Sequence, residues 1–251
     1  VPVPGVEVVE QLEDVETLNR RALGGELDLT KVSFHAFAHF RDRYCLLRSG
    51  AALGRGCGPL VAAREETSMD ALRGRRIAIP GRYTTAHLLL MLYGAGYEDV
   101  SVMPFEQVMP AVERGDADAG LIIHEGRFTY KLHGLKKVLD LGEWWETETG
   151  LPIPLGCIIA KRALGPGTVS AVESGIRASI EYAYSHRDET RSYIKSNAQE
   201  MDDSVIDSHI GLYVNDFSLD LGEEGVRAIT ELFRRATARG IVPDTRTPLF
   251  L

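Results

Sequence analysis

The sequence predicts an α/β protein of two lobes joined by two crossovers. Strand and helix patterns alternate through the first 160 residues, and the pattern after that is helical. Two short segments, GPLVAAR (58–64) and PLGCIIAKR (154–162), are alike: each is an apolar strand entered through Gly/Pro and left through a basic residue. Between them, residues 65–153 read as a complete α/β unit. One topology fits. Residues 1–63 and 154–251 build domain one, residues 65–153 build domain two, and the chain crosses twice, leaving a hinge and a cleft. The two bracketing strands are expected to lie side by side. At roughly 100–200 residues per domain, 251 residues suit this plan.

The elements follow in order. Leu27–Ser33 alternates apolar and polar residues as a strand does, and FHAFAHFRD follows at helical spacing. Arg76–Pro80 is a short buried-strand pattern that leads through the turn Gly81-Arg82-Tyr83 into TTAHLLLMLYGAG. That helix starts on Thr, a good N-cap, and stops at Gly. Asp99–Met103 is a strand, FEQVMPAVERG a short helix ended by Gly115, and Ala119–Ile123 an apolar run covered on both faces. Strands separated by helices imply βαβ units and a mainly parallel sheet. Farther on, TVSAVESGIRASIEYAYSH carries apolar residues at steps of three and four, and Ser170 with Glu173 forms a capping-box pattern. MDDSVIDSHIGLYV and GEEGVRAITELFRRATARG are two more amphipathic helices, each opened by acids.

Charge and composition narrow the function. Lys+Arg number 28 against 36 Asp+Glu, a net charge of −8, with the acids spread along the chain. Nucleic acid and anionic membrane surfaces draw their affinity from Lys/Arg, so both are excluded as partners. A small anionic ligand is not, because it needs only a local positive potential. No apolar run reaches the ~18–20 residues of a membrane span, and the chain opens without the basic start and apolar stretch of a signal peptide. Cys45, Cys57 and Cys157 are far apart with no CxxC, which reads as reduced thiols in a cytoplasmic protein.

In open sheets, ligands bind beyond the carboxyl ends of strands, where helix N-termini offer free N–H groups. Three junctions qualify. At Thr30-Lys31-Val32-Ser33, Ser33 is a natural N-cap, and the same hydroxyl could hold a ligand oxygen; Lys31 adds a cation or is simply solvated. At Gly81–Thr85, a glycine turn with the two hydroxyls of Thr84 and Thr85 can cradle a carboxylate or phosphate, although no GxxxxGK[ST] pattern is present. At the third, the apolar run Leu121-Ile122-Ile123 delivers His124 and then Glu125 to its carboxyl end. Histidine suits proton transfer near neutrality. A strand-end histidine that only hydrogen-bonds is the plainer alternative. His35 and His39 have the i,i+4 spacing of helical metal ligands, but no third ligand is evident, so no metal is expected. LGRGCGPL does not form GxGxxG between a strand and a helix, and GxSxG and HExxH are absent. Trp144 and Trp145 read as core.

These residues carry a resemblance. LEDVETLNRRAL, LDLTKVSF, LGRGCGPLVAAR, IAIPGRYTTAHLLL, DAGLIIHEGRFTY, DLGEWWETETGLPIPLG and YVNDFSLDLGEEG, in order through nearly the whole chain, resemble the 1,4-dihydroxy-6-naphthoate synthases of menaquinone biosynthesis by the futalosine pathway. The resemblance implies a periplasmic-binding-protein-like fold of the two-crossover type II kind in a cytoplasmic enzyme. It also implies a carbon–carbon lyase that converts cyclic dehypoxanthine futalosine to 1,4-dihydroxy-6-naphthoate and dihydroxyacetone without a cofactor. By the same resemblance, the segment matching Lys31, Val32 and Ser33 and the pair matching Thr84 and Thr85 bind substrate, and His124 accepts a proton. Family members usually begin with a further strand and a loop of the type SPCPNDTF, ahead of the region matching Val1. That strand is expected to be central in domain one, with its loop toward the cleft. Two other readings share the fold and junction chemistry. One is a solute-binding protein for a small carboxylate; the other is the chorismate dehydratase of the same pathway.

Overall fold

The structure, a computed structural model, describes residues 2–197 and 202–251. The first half runs α1 (Val15–Gly24), β1 (Leu29–Ser33), α2 (Phe34–Ala38), β2 (Tyr44–Leu46), β3 (Ala52–Gly54), β4 (Leu60–Ala63), β5 (Ile77–Ile79), α3 (Thr85–Tyr93), β6 (Val100–Val102) and α4 (Phe105–Arg114). The second half runs β7 (Ala119–Ile122), α5 (Gly126–Thr129), β8 (Lys136–Asp140), α6 (Leu141–Thr149), β9 (Ile153–Lys161), α7 (Gly165–Ser185), α8 (Arg187–Asn197), α9 (Asp203–Tyr213), α10 (Asp216–Leu219) and α11 (Gly222–Ala238). The helix read as MDDSVIDSHIGLYV corresponds to α9, except that Met201 lies outside the described residues.

Two sheets result. In the first, the nine-residue β9 is the spine: β1 lies along one edge, and β2 and β3 share the other. All three pair with it antiparallel, in registers such as Val32↔Cys157, Leu46↔Ile159 and Ala52↔Gly156. The second sheet has the order β6-β5-β7-β4-β8. Only β5 pairs parallel, with β6 and β7; β4 runs against both its neighbours. The expectation of a mainly parallel sheet is therefore corrected. β9 returns from the second sheet and runs against every strand laid down before it, and β4 enters the second sheet against the direction of the βαβ units.

The two similar segments are not adjacent either. Segment 58–64 supplies β4, in the second sheet between β7 and β8, whereas 154–162 supplies β9, at the centre of the first. They look alike because each is a central strand with little exposure; likeness reported burial, not pairing. The chain therefore changes sheet between Gly54 and Leu60 and returns between Thr149 and Ile153. At this passage Gly58 and Gly142 touch backbone to backbone: a Cβ on Gly58 would lie 2.3 Å from the Gly142 Cα. Arg127 clamps the same place, donating from Nη1 to the Gly58 carbonyl (2.7 Å) and from Nη2 to Asp140 Oδ2 (2.6 Å). Asp140 in turn caps α6 through the Gly142 and Glu143 N–H groups.

The largest apolar cluster runs continuously from the first sheet into the second. Leu88, Leu89 and Leu90 of α3 are all fully buried within it, in the same cluster as Ile229 and Leu232 of α11. A helix apolar on all sides is covered on all sides, which is what its sequence requires. Trp145 is core as expected, with its Nε1–H donated to the Pro152 carbonyl. The Ser170–Glu173 capping box does not form. Pro166 fits the first turn of a helix, so α7 starts at Gly165 and Ser170 lies inside it; Glu173 instead accepts the Arg48 N–H. All three cysteines are free of disulfides and buried. Among the described residues, no helix is long and apolar enough to cross a membrane.

Candidate active site

Four elements meet at one cavity of about 680 Å³ between the sheets. β1 brings Lys31, Val32 and Ser33; the start of α3 brings Thr84 and Thr85; the end of β7 brings His124; α9 adds His209 and Tyr213. The six residues singled out in the sequence thus line one cavity.

Strand alternation places Lys31 and Ser33 on the same side of β1. The Val32 side chain packs fully buried in the core. Ser33 occupies the N-cap position of α2, yet its hydroxyl makes no capping bond. Asn19, itself fully buried, holds it instead: the Ser33 N–H donates to Asn19 Oδ1 at 2.9 Å, and Asn19 Nδ2 donates to Ser33 Oγ at 3.3 Å. The serine oxygen accepts here, which leaves its own proton for a ligand.

Thr84 is the N-cap of α3. Its hydroxyl accepts from the His87 N–H at 3.3 Å and donates to the Gly81 carbonyl at 2.8 Å. The Thr85 hydroxyl donates to the Leu155 carbonyl on β9 at 2.6 Å, and the Thr84 carbonyl meets His35 Nδ1 at 3.2 Å. Both hydroxyl protons are therefore committed to holding α3 in place. What remains for an anion at this junction is the first-turn N–H groups of the helix, which have no intrahelical acceptor. The turn before α3 is fixed by Glu16 of α1, which accepts the Arg82 N–H (3.0 Å) and the Tyr83 N–H (3.2 Å). Burial raises the Glu16 carboxyl above its ordinary pKa, against the pull of these hydrogen bonds.

His124 lies two residues past the end of β7, in a turn, with a left-handed backbone, φ 54°, the one such non-glycine residue among those described. Phe105 stands edge-on to its ring at 5.1 Å, and the His209 ring lies at 6.3 Å. Burial, then His209, then Lys31 pull the His124 pKa down to about 4. His209 is likewise lowered to about 4, by burial and by Lys31. Both imidazoles are neutral at pH 7. Lys31 is exposed along the cleft, and the protein crowded around it lowers its pKa. Gly156 lets β9 approach β1 closely: a Cβ there would lie 3.2 Å from the Val32 carbonyl oxygen. Glu125 lines the cavity too, but it is not among the groups that shift His124.

Sequence reasoning missed Asn19, Glu16, Phe105 and His209. His209 had a signal. Val205, His209 and Tyr213 follow one another at i,i+4 along α9 and all face the cavity, so the histidine sits in the middle of an otherwise largely apolar stripe.

Comparisons with known proteins agree on one family. The family described as menaquinone biosynthesis matches residues 2–238. A 1,4-dihydroxy-6-naphthoate synthase from Thermus thermophilus is 54% identical over 250 residues, covering 100% of this chain and 90% of that protein. One from Streptomyces coelicolor is 49% identical over 248 residues, covering 96% and 87%. Among solved structures, a protein from Archaeoglobus fulgidus superposes with a TM-score of 0.87 at 40% identity, over 92% of this chain and 86% of that one. The alkanesulfonate-binding protein of Xanthomonas axonopodis superposes with a TM-score of 0.65 at 17% identity, over 92% and 81%; it shows that the fold is that of the periplasmic binding proteins.

Proposed function

The chain belongs to the menaquinone-biosynthesis family, among its 1,4-dihydroxy-6-naphthoate synthases, and on that premise we propose how its cleft carries out the reaction. It is an enzyme, a carbon–carbon lyase that takes cyclic dehypoxanthine futalosine to 1,4-dihydroxy-6-naphthoate and releases dihydroxyacetone. The observation that carries the site assignment is one cavity that brings together Lys31, Ser33, the start of α3 and a neutral His124.

The substrate is a small anion. Lys31 and the N–H groups at the start of α3 receive its negative charge, and the Ser33 hydroxyl donates to one of its oxygens. His124 accepts a proton as the carbon–carbon bond opens. The electron pair of that bond enters the ring that becomes aromatic, and the three-carbon unit leaves as a ketone. A positioned base must lie within hydrogen-bond reach of its proton, and the end of a buried strand supplies that rigidity. In this reading each sheet is the frame of a lobe, the second formed by residues 65–153 together with β4, and the enzyme works in the cytosol, where cysteines without disulfides are the rule.

Incubation of the protein with cyclic dehypoxanthine futalosine, followed by mass spectrometry, tests the reading. The naphthoate and dihydroxyacetone should appear in equal amounts. A folded protein that leaves the substrate intact refutes the assignment.

A further inference from the structure

Among the described residues the His124 ring makes no hydrogen bond; only its backbone carbonyl is used, by the Arg127 N–H at 3.3 Å. A base must still be aimed, because its nitrogen has to come within hydrogen-bond reach of the proton it takes. Packing is therefore what orients this ring. Two aromatic side chains stand against it: Phe105, edge-on at 5.1 Å and 73°, and His209, tilted at 6.3 Å. His209 comes from α9, across the cleft, whereas Phe105 opens α4, which packs on β7 itself.

The sequence of α4 explains how Phe105 reaches this place. Phe105, Val108, Met109 and Val112 recur at i, i+3, i+4 and i+7, one face of a helix. That face is seated on β7. A Cβ on Gly120 would lie 2.7 Å from Val108 Cγ1 and 2.9 Å from Val112 Cγ2, so the glycine lets helix and strand meet. Met109 packs against the turn after β7, its Cε 3.4 Å from where a Gly126 Cβ would stand. Val108 and Val112 are fully buried, but Phe105 is half-buried and lines the cavity. One helix face thus runs from the core into the cleft and ends on an aromatic ring beside the histidine. A ring there also keeps water from the imidazole, which disfavours its charged form. Burial is the largest cause of the lowered His124 pKa. The titratable groups around the ring are His209 of α9, Lys31 of β1 and the adjoining Glu125.

We propose that Phe105 is a positioning residue of the lyase: its ring fixes the orientation of the His124 imidazole and keeps water from one side of it. The inference rests on His124 being the base in the lyase reading above. Phe105 acts through His124 and takes no part in the proton transfer itself.

The test compares wild type, Phe105→Ala and Phe105→Leu. Histidine-selective NMR titration of the free protein reads the His124 pKa, and steady-state kinetics with cyclic dehypoxanthine futalosine read kcat and KM. In Phe105→Ala water reaches the imidazole, so its pKa should rise from about 4 toward the ordinary ~6.5, and the acid limb of kcat/KM should move up with it. At about pH 8 the base is neutral in either protein. There kcat should still fall roughly 10- to 100-fold through loss of aim, with KM within about threefold. Phe105→Leu restores apolar cover without a flat ring: the His124 pKa should stay well below the ordinary value, and kcat should recover only in part. A destabilised but otherwise intact site would lose active enzyme without moving the pKa of the folded fraction. An unmoved His124 pKa in Phe105→Ala, a kcat within about twofold of wild type, or a raised KM with unchanged kcat each overturns the proposal. If Phe105→Ala fails to fold, Phe105→Leu decides: its kcat should lie more than about twofold below wild type at unchanged KM, and a smaller loss overturns the role of the ring. A wild type that makes no naphthoate refutes the lyase reading; the titration of the free protein then shows separately whether Phe105 shields His124.

Discussion

His124 carries a left-handed backbone at the end of a buried strand, a conformation that costs on the order of 1–3 kcal/mol and persists only where its surroundings enforce it. Asn adopts this conformation more readily than most residues, so His124→Asn is a fair test of the chemistry. Its kcat should fall roughly 10²–10⁴-fold, the contribution of a positioned base, with KM nearly unchanged. A variant keeping more than about a tenth of wild-type turnover places the base elsewhere. The pH profile is a second check. With a pKa of about 4, His124 stays neutral well below the ordinary histidine range. Its acid limb in kcat/KM should therefore appear as pH falls through about 4, and a limb at the ordinary ~6.5 would show an unburied base. Lys31→Met removes a charge that holds both cleft histidines down, so NMR titration should find both pKa values raised.

Elements meet along the start of α3, where the turn after β5 is tied to α1 and the first helical residues to the first sheet. Gly81 lies against the Glu16 carboxyl so closely that a Cβ would fall 2.4 Å from Glu16 Cδ. Gly81→Ala should displace Glu16, free the Arg82 and Tyr83 N–H groups, and cost roughly 1–3 kcal/mol, the range for overpacking. Denaturant unfolding measures it, and an unchanged midpoint would mean that the turn relaxes without loss. Thr85→Val keeps the shape but leaves the Leu155 carbonyl without its donor. It should cost about 1 kcal/mol of stability. Product affinity should change by less than about threefold, because the hydroxyl proton is already committed and the N–H groups of the helix remain. A loss of affinity of ten-fold or more would show that the hydroxyl leaves Leu155 for the ligand.

At the scale of the molecule, the interior is rich in histidines held neutral. Burial and neighbouring histidines pull His35 down to about 3; His124 and His209 are held to about 4, and burial also lowers His39 and His87. An unfolded chain binds protons at these sites near pH 6.5, and the folded chain does not. Between the folded and unfolded pKa values the unfolded state thus holds more protons, so stability falls as pH drops below about 6.5 and stops falling once the folded pKa values are passed. Glu16, raised above its ordinary value, works the other way above 4.5. Five lowered histidines outweigh one raised carboxyl. Thermal melts at pH 7, 6 and 5 should give a steadily falling Tm, and a constant Tm would contradict the buried, neutral state of this set.

What the sequence determined by itself was local. Periodicity, caps and glycine stops placed β1, β5, α3, β6, α4 and β7 within a residue or two, because each depends on neighbours three or four positions away. The junction rule singled out Lys31, Ser33, Thr84, Thr85 and His124 for the same reason: a strand end followed by a helix start is visible in a short window. Pairing was not visible. GPLVAAR and PLGCIIAKR look alike because both strands are central, and only the tertiary structure sent one to each sheet and ran β9 against β1, β2 and β3. The hydroxyls of Thr84 and Thr85 changed meaning for a similar reason, since their acceptors, Gly81 and Leu155, include a carbonyl 70 residues away. His209 gave only a faint signal. On its own helix it is one polar residue in a largely apolar stripe, and only the fold carries α9 across the cleft to within 6.3 Å of the His124 ring. Local order follows from short-range sterics and hydrogen bonding, whereas a site assembled from four elements depends on packing free energies that no short stretch of sequence contains.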